Sequence, residues 1–300
     1  MPKSRRSKAH AARVTRALLE DWPLPRPLGD EDKNARGSVL VVGGEVSLPG
    51  AVVLAGIAAL RAGAGKLQIA TCRSIAPLVG IAVPEALSLG LDETPEGCIA
   101  AASAGILRDL IAKADALLIG PGMTGNDAER KFVLSLLDIR KNGSLVLDAG
   151  ALATLADSPD ALHRFGDTAV ITPHAGEMAR ITGKSEREIE NNPEETAAQA
   201  ASTLNTIVVL KGSRTFIASP RGDSFCYDAG DVGLATSGSG DTLAGVVAGL
   251  IARGAKPLHA SLWGVFLHGS AGNRLAKRVG RIGYLARELL DEIPPIMNRV

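Results

Sequence analysis

The chain has 300 residues, 46% of them hydrophobic but only 3% aromatic, with 33 basic and 32 acidic residues and a formal net charge of +1. That balance argues against nucleic acid or a membrane surface as partner, and no apolar run is long enough to span a bilayer. Three separated cysteines (Cys72, Cys98 and Cys226) argue against a disulfide framework and read as small buried hydrophobes in a reducing, cytoplasmic setting.

The first 16 residues carry Lys3, Arg5, Arg6, Lys8, Arg13 and Arg16 and no acid. No apolar core follows, which argues against a secretory signal. An organelle transit peptide shares this composition, but a solvated basic tail over residues 1–20 is the plainer expectation. Trp22-Pro23-Leu24-Pro25, with Pro27, reads as extended chain leading into a single domain over residues 21–300. Residues 38–42 are a short β-branched run ended by Gly43-Gly44. Residues 49–64 place Val52, Val53, Ile57 and Leu60 at helical spacing with Pro49 in the first turn, and residues 67–70 give the next strand. Residues 116–119, 145–147, 169–172 and 207–210 are nearly continuous apolar runs, suited to parallel strands buried on both faces. Helical patterns at 100–113, 127–138 and 194–204 lie between them. Residues 215–218 and 224–227 flank Pro220-Arg221-Gly222-Asp223 and predict an antiparallel hairpin, followed by helices over 242–253 and 258–279. Together these predict a three-layer α/β/α domain with a mostly parallel central sheet and an antiparallel hairpin near residues 214–227.

The most informative segment is Thr236-Ser237-Gly238-Ser239-Gly240-Asp241-Thr242. It opens a helix whose buried face is Leu243, Val246, Val247, Leu250 and Ile251. Unpaired N–H groups and the helix dipole make such an end an anion site, and Gly238 and Gly240 let backbone approach phosphate oxygens. Taken alone, Asp241 is more often a plain N-cap. An acid beside a phosphate site is electrostatically awkward, however, and suggests a base for an attacking hydroxyl. Lys211-Gly212-Ser213-Arg214-Thr215 follows a buried strand and offers a positive charge, a tight turn and a hydroxyl, though a solvated strand turn has the same residues. Thr172-Pro173-His174-Ala175-Gly176-Glu177 follows another strand, where ligands of open α/β sheets bind. It reads equally as a helix start. Gly120-Pro121-Gly122-Met123-Thr124-Gly125, Asp148-Ala149-Gly150 and Pro49-Gly50-Ala51 also stand after strands or at helix ends. The five histidines lack metal-ligand spacing, so no protein-bound metal centre is expected.

In this order, KNARGSVLVVGG, PGAVVLAGIAALRAGAG, GPGMTGN, LVLDAGAL, ITPHAGEMARITG, VVLKGSRTFIA and LATSGSGDTLAGVVAGLIARG resemble the ADP/ATP-dependent NAD(P)H-hydrate dehydratases of the ribokinase-like superfamily, in their standalone form. The resemblance implies repair of NADHX and NADPHX: a nucleoside phosphate phosphorylates the ring hydroxyl, and loss of phosphate restores the dihydronicotinamide. It implies that Asp241 activates the hydroxyl and that Ala51, Gly122 and His174 contact the hydrate. Lys211, Gly212, Ser213, Arg214, Thr215, Gly238 and Gly240 are implied at the nucleotide, which would be ADP (less readily ATP) with Mg2+. A functional link to a separate NAD(P)HX epimerase and a homo-oligomer, a tetramer by resemblance, are also implied.

Two departures stand out. Asp231-Val232 replaces an uncharged, proline-containing stretch, and Ser237 stands where glycine is common. Two alternatives stay open, the second of them because of these departures. One is a hydroxymethyl- or sugar-type kinase of the same superfamily, which would stop at the phosphorylated product. The other is a non-catalytic nucleotide-binding regulator.

Overall fold

The computed structural model describes residues 11–26 and 33–299. Its strands are β1 (Ala12–Arg13), β2 (Ser38–Val42), β3 (Lys66–Cys72), β4 (Ala86–Leu91), β5 (Ala116–Ile119), β6 (Ser144–Leu147), β7 (Ala169–Ile171), β8 (Ile207–Leu210), β9 (Thr215–Ala218) and β10 (Ser224–Tyr227). They form one sheet in the order β1-β10-β9-β8-β7-β6-β5-β2-β3-β4. Pairing from β4 through to β8 is parallel, and the β9–β10 hairpin is antiparallel to β8 and within itself. Every residue of β5, β7 and β8 is buried, as expected for strands covered on both faces.

Helices cover both sides over two apolar cores, one centred on Val39, Val41 and Leu118 and the other on Leu40, Val42 and Leu117. Alternate residues of one strand thus serve opposite layers. On the first side the helix Ser239–Ala252 packs against Pro49–Arg61 without intervening side chains. A β-carbon at Gly245 would stand 2.2 Å from the Ala55 carbonyl oxygen, and one at Gly249 2.3 Å from that of Ala59. This close backbone approach fixes the position of Ser239–Ala252, which also packs on β5 and β6.

The strand order reverses at β2: the chain runs from β2 outward to β3 and β4, then returns to place β5 on the other side of β2. Ligands of open α/β sheets lie in the crevice at such a reversal. The residues that follow β2 and β5 therefore form one wall of the expected site.

Within the stretch 1–20, expected to be a solvated basic tail, residues 12–20 pack onto the domain. Ala12–Arg13 pairs in parallel with β10, Thr15 caps the helix Arg16–Glu20, and Val14 and Leu19 are buried. Two apolar positions among many cations were enough to anchor this segment. Residues 1–10 and Pro27 lie outside the described residues. The pattern at 100–113 is also divided, with a 3-10 segment Ala101–Leu107 rich in small residues preceding the α-helix Arg108–Lys113.

Candidate active site

Asp241 occupies the first turn of Ser239–Ala252. The N-cap is Gly238 at φ 85°, a left-handed conformation that glycine adopts without strain, and a β-carbon there would lie 2.4 Å from Leu54 Cδ1. Burial, together with the charge of Asp148, pushes the Asp241 carboxyl up to about 7, against the opposing pull of Lys211. A carboxylate in that range accepts a proton readily at neutral pH. The plain N-cap reading does not hold, because the cap position belongs to Gly238.

Facing Asp241 is a buried polar network at the carboxyl ends of β6, β7 and β8. Lys211 Nζ lies 3.0 Å from Asp148 Oδ1 and 3.8 Å from Glu177 Oε2. Thr172 Oγ1 donates to the same Asp148 oxygen at 2.6 Å. Burial opposes the ammonium charge, but Asp148, Glu177 and Asp241 together hold the Lys211 pKa above its usual range. A hydrogen bond from Lys211 N–H to the Pro173 carbonyl (2.8 Å) and the parallel bridge between His174 and Lys211 continue the β7–β8 ladder past its end, keeping the cation in place.

His174 is the N-cap of the helix Ala175–Thr182. Its Nδ1 accepts from the N–H groups of Gly176 and Glu177, at 3.0 and 3.3 Å, and Glu177 Oε2 accepts from His174 N–H at 2.7 Å. The helix-start reading of this segment is therefore correct in part. The capping box also aims Glu177 at Lys211 and leaves the His174 side chain 58% exposed.

His174, Lys211, Gly212, Ser213, Thr215 and Gly240 line a cleft of about 650 Å³, together with Asp231, Thr236 and His268. Arg214 departs from this group. Its guanidinium sits over the Phe216 ring at 5.4 Å, and it borders a neighbouring cavity of about 410 Å³ with Glu190 and Pro193. Ala51 and Gly122 meet on the β2–β5 side. A β-carbon at Gly122 (φ 71°) would approach Ala51 Cβ to 3.1 Å and the Leu48 carbonyl oxygen to 2.7 Å.

Sequence reasoning gave little account of three groups here. Asp148, which the sequence places at a strand end where it can touch the site or its metal, is the centre of the buried network. His268 bonds Ser239 Oγ at 2.9 Å, and burial lowers its pKa to about 4, so it is a neutral wall residue. Asp231 caps the turn Val232–Leu234 and pairs with Arg281 at 3.2 Å, which neutralises the charge that set this segment apart.

The carboxylates nearest the cleft's cation fit a magnesium ion carried by a nucleotide. Magnesium takes one or two protein carboxylates and completes its shell with phosphate oxygens and water, and Asp148 and Glu177 offer such a pair. Among the described residues no set of three metal-ligating groups lies there.

The model of the NAD(P)H-hydrate dehydratase family matches residues 39–295. An ADP-dependent (S)-NAD(P)H-hydrate dehydratase of Xanthomonas campestris is 47% identical over 287 residues, covering 96% of this chain and 96% of that protein. A bifunctional NAD(P)H-hydrate repair enzyme of Moorella thermoacetica is 38% identical, and the chain spans 54% of its length. The crystal structure of the ADP/ATP-dependent NAD(P)H-hydrate dehydratase of Bacillus subtilis, co-crystallized with ATP and Mg2+, superposes with a TM-score of 0.80 at 30% identity, covering 97% of this chain and 99% of that one. A ribokinase-like superfamily protein of Enterococcus faecalis superposes with a TM-score of 0.81 at 25% identity, covering 96% of each chain, and with the sheet order it makes the fold ribokinase-like. With its glycine-led helix, its Asp148–Lys211 pair and a family match across most of its length, this chain belongs to the NAD(P)H-hydrate dehydratase family.

Proposed function

We propose that the chain catalyses nucleotide-driven dehydration of NADHX and NADPHX to NADH and NADPH, with ADP as the favoured phosphate donor. The observation that carries this reading is the placement of Asp241, a carboxyl raised to about 7, at the start of Ser239–Ala252 and facing Lys211.

In this reading the nucleotide lies in the 650 Å³ cleft with its phosphates toward Lys211 and Gly240. The N–H groups opening Ser239–Ala252 and the Lys211 ammonium stabilise charge on the transferring phosphoryl group. Bound magnesium screens the phosphate charge. Asp241 accepts the proton of the hydrate hydroxyl as its oxygen bonds to the terminal phosphorus and the nucleotide leaves. Phosphate then departs with both bonding electrons, a ring proton is lost, and the double bond is restored. Ala51, Gly122 and His174 hold the hydrate ring, and Gly212, Ser213 and Thr215 hold the nucleotide. Arg214, over Phe216, is left to the edge of the site.

We assign this activity to residues 21–300 as one catalytic unit, with the segment from Ala12 to Glu20 packed onto it. A homo-oligomer is part of the reading, supported by exposed Leu78, Ile81 and Leu87 beside the edge strand β4. So is a separate epimerase as functional partner, in view of the bifunctional relatives. No described helix is long and apolar enough to cross a membrane, in keeping with the cytoplasmic expectation.

The test is recovery of reduced-nicotinamide absorbance from purified NADHX with ADP, with ATP or with neither, in magnesium buffer. Recovery with one nucleotide and none without it supports dehydration and identifies the donor. Consumption of nucleotide with accumulation of a stable phosphorylated product would instead make the chain a kinase.

A further inference from the structure

On the β2–β5 side of the crevice, away from Lys211, two buried glutamates meet. Glu45 follows Gly43-Gly44 at the end of β2 and is 6% exposed, and Glu129 in the helix Asp127–Arg140 is 1% exposed. Among the described residues neither makes an ion pair. Both converge on Thr124. Its backbone N–H reaches Glu45 Oε1 at 2.9 Å and Glu129 Oε2 at 3.1 Å, and its hydroxyl lies 2.6 Å from the first oxygen and 3.4 Å from the second. The N–H groups of Gly125 and Asn126 also point to Glu129 Oε2, at 2.7 and 3.2 Å.

These donors can stabilise one negative charge. No ion pair offsets a second charge among the described residues, and the Thr124 hydroxyl and amide hydrogens are divided between the two carboxyls. Glu129 Oε1 is buried with no partner. Two buried carboxylates this close cannot both be ionised at low cost, so one proton resides on the pair. Burial, together with the hydrogen bond to Glu45, raises Glu129 to about 7, in accord with this geometry.

The pair has a mechanical consequence. The Glu45 backbone N–H donates to the Gly122 carbonyl at 2.9 Å, and that of Gly44 donates to the Pro121 carbonyl at 2.8 Å. The Glu45 side chain meanwhile grips Thr124. One residue thus holds the 120–125 loop at two points, on either side of Met123, and sets how Gly122 sits against Ala51.

We propose that Glu45 and Glu129 are positioning residues for hydrate binding: their carboxyls share one proton and, through Thr124, hold the 120–125 loop in the form that presents Gly122 to the substrate. This rests on the assignment of Gly122 and Ala51 to the hydrate. Above the window near 7 the pair loses its proton, the carboxylates repel, and the loop loosens. The two thiols facing the pair keep their protons there. The Cys98 thiol is held above its ordinary range and the Cys72 thiol at about 12, in both cases chiefly by burial. Glu93 lies beyond Cys72, and Arg130, which reaches the Gly125 carbonyl, is engaged by Asp127 and Asp157.

Two measurements test this. The first is the infrared band of a protonated carboxyl at pH 6.5, recorded without substrate. It is expected in the wild type and in Asp241→Asn, and reduced in Glu129→Gln. The second is the hydrate KM between pH 6.5 and 9. Glu45→Ala is expected to raise it about tenfold with kcat nearly kept, as for loss of a hydrogen bond to a charged group. Glu45→Gln, whose side-chain amide can donate to Glu129, is expected to restore a low KM and flatten its rise with pH. An undiminished carboxyl band in Glu129→Gln, a kcat loss with unchanged KM in Glu45→Ala, or one equivalent of tightly held metal in the purified protein would each overturn the proposal. If hydrate turnover is absent altogether, the functional reading fails, while the infrared comparison still decides whether the proton is shared.

Discussion

Lys211 Nζ, from a residue that lines the cleft, and Asp148 Oδ1 stand 3.0 Å apart, and the aspartate is 2% exposed. The two residues act oppositely on Asp241: Asp148 raises its pKa and Lys211 lowers it. Asp148→Asn is therefore expected to move the acid limb of the kcat/KM profile to lower pH, and Lys211→Ala to move it higher. Breaking a largely buried pair also lowers stability, by about 1–3 kcal/mol once the partial exposure of the lysine is allowed for. Profiles that stay in place in both variants would remove Asp241 as the titrating base.

Asp241 itself is expected to show opposite effects on turnover and stability. Asp241→Asn should lower kcat ~10²–10⁴-fold, the range for a lost general base, while nucleotide titrations remain close to wild type. Its folded-state pKa, about 7, lies above the ordinary value of 3.8. The ionised form is therefore disfavoured by folding. The native state is fully favoured below the unfolded pKa and loses ground as pH rises through the folded one. The asparagine variant should melt higher than wild type at pH 8, by the equivalent of ~1–3 kcal/mol, with the gap closing toward pH 4. Thermal melts at the two pH values check this, and an identical melting temperature at pH 8 would mean that the carboxyl is not strained.

A third expectation concerns Asp231, which lines the cleft and pairs with Arg281 at 3.2 Å. Arg281→Ala uncovers an acid where nucleotide phosphates or ribose approach, so nucleotide Kd should rise about three- to tenfold, more at low salt than at high salt. Asp231→Asn added to Arg281→Ala should recover most of the loss. Calorimetric titration of the single and double variants measures it. Additive losses would mean that Arg281 contacts the nucleotide directly.

Strands β2 and β5 to β8 were legible because each is a nearly uninterrupted apolar run closed by a polar or glycine residue. β2, β5, β8 and the β9–β10 hairpin fall where the pattern puts them. β4 was not, because Ala86–Leu91 is an edge strand with a single buried residue and no run to see. β1 was hidden by its arginines. The close packing of Gly245 and Gly249 on Ala55 and Ala59 could have been suspected from small residues four apart in two helices, yet nothing local pairs those helices. In the site, Asp241 and Lys211 stand out by their glycine neighbours. The partners that tune them, Asp148 and Glu177, come from other strands, and their effect depends on distances that a sequence does not contain. Glu45 carries no sequence signal of its role, since its significance comes from Thr124 and Glu129, about 80 positions away.

The β2–β5 wall gives the last expectation. Gly122 has φ 71°, and a β-carbon there would press on the Leu48 carbonyl oxygen at 2.7 Å and on Ala51 at 3.1 Å. The first contact is with backbone, so no side-chain rotation relieves it, and the loop must shift toward the crevice. Gly122→Ala is thus expected to lower kcat/KM for the hydrate ~10–100-fold, as for a displacement of about an ångström in a positioning element. Nucleotide affinity should be almost unchanged, because the nucleotide cleft is lined by other segments: His174, the turn after β8, residues 230–236 and the helices Ser239–Ala252 and Pro257–Arg278. Measuring hydrate KM and nucleotide Kd on the same variant separates the two walls. Equal losses in both would mean that the loop shift propagates through Ala51 and the helix Pro49–Arg61 into Ser239–Ala252, which rests on it at Gly245 and Gly249.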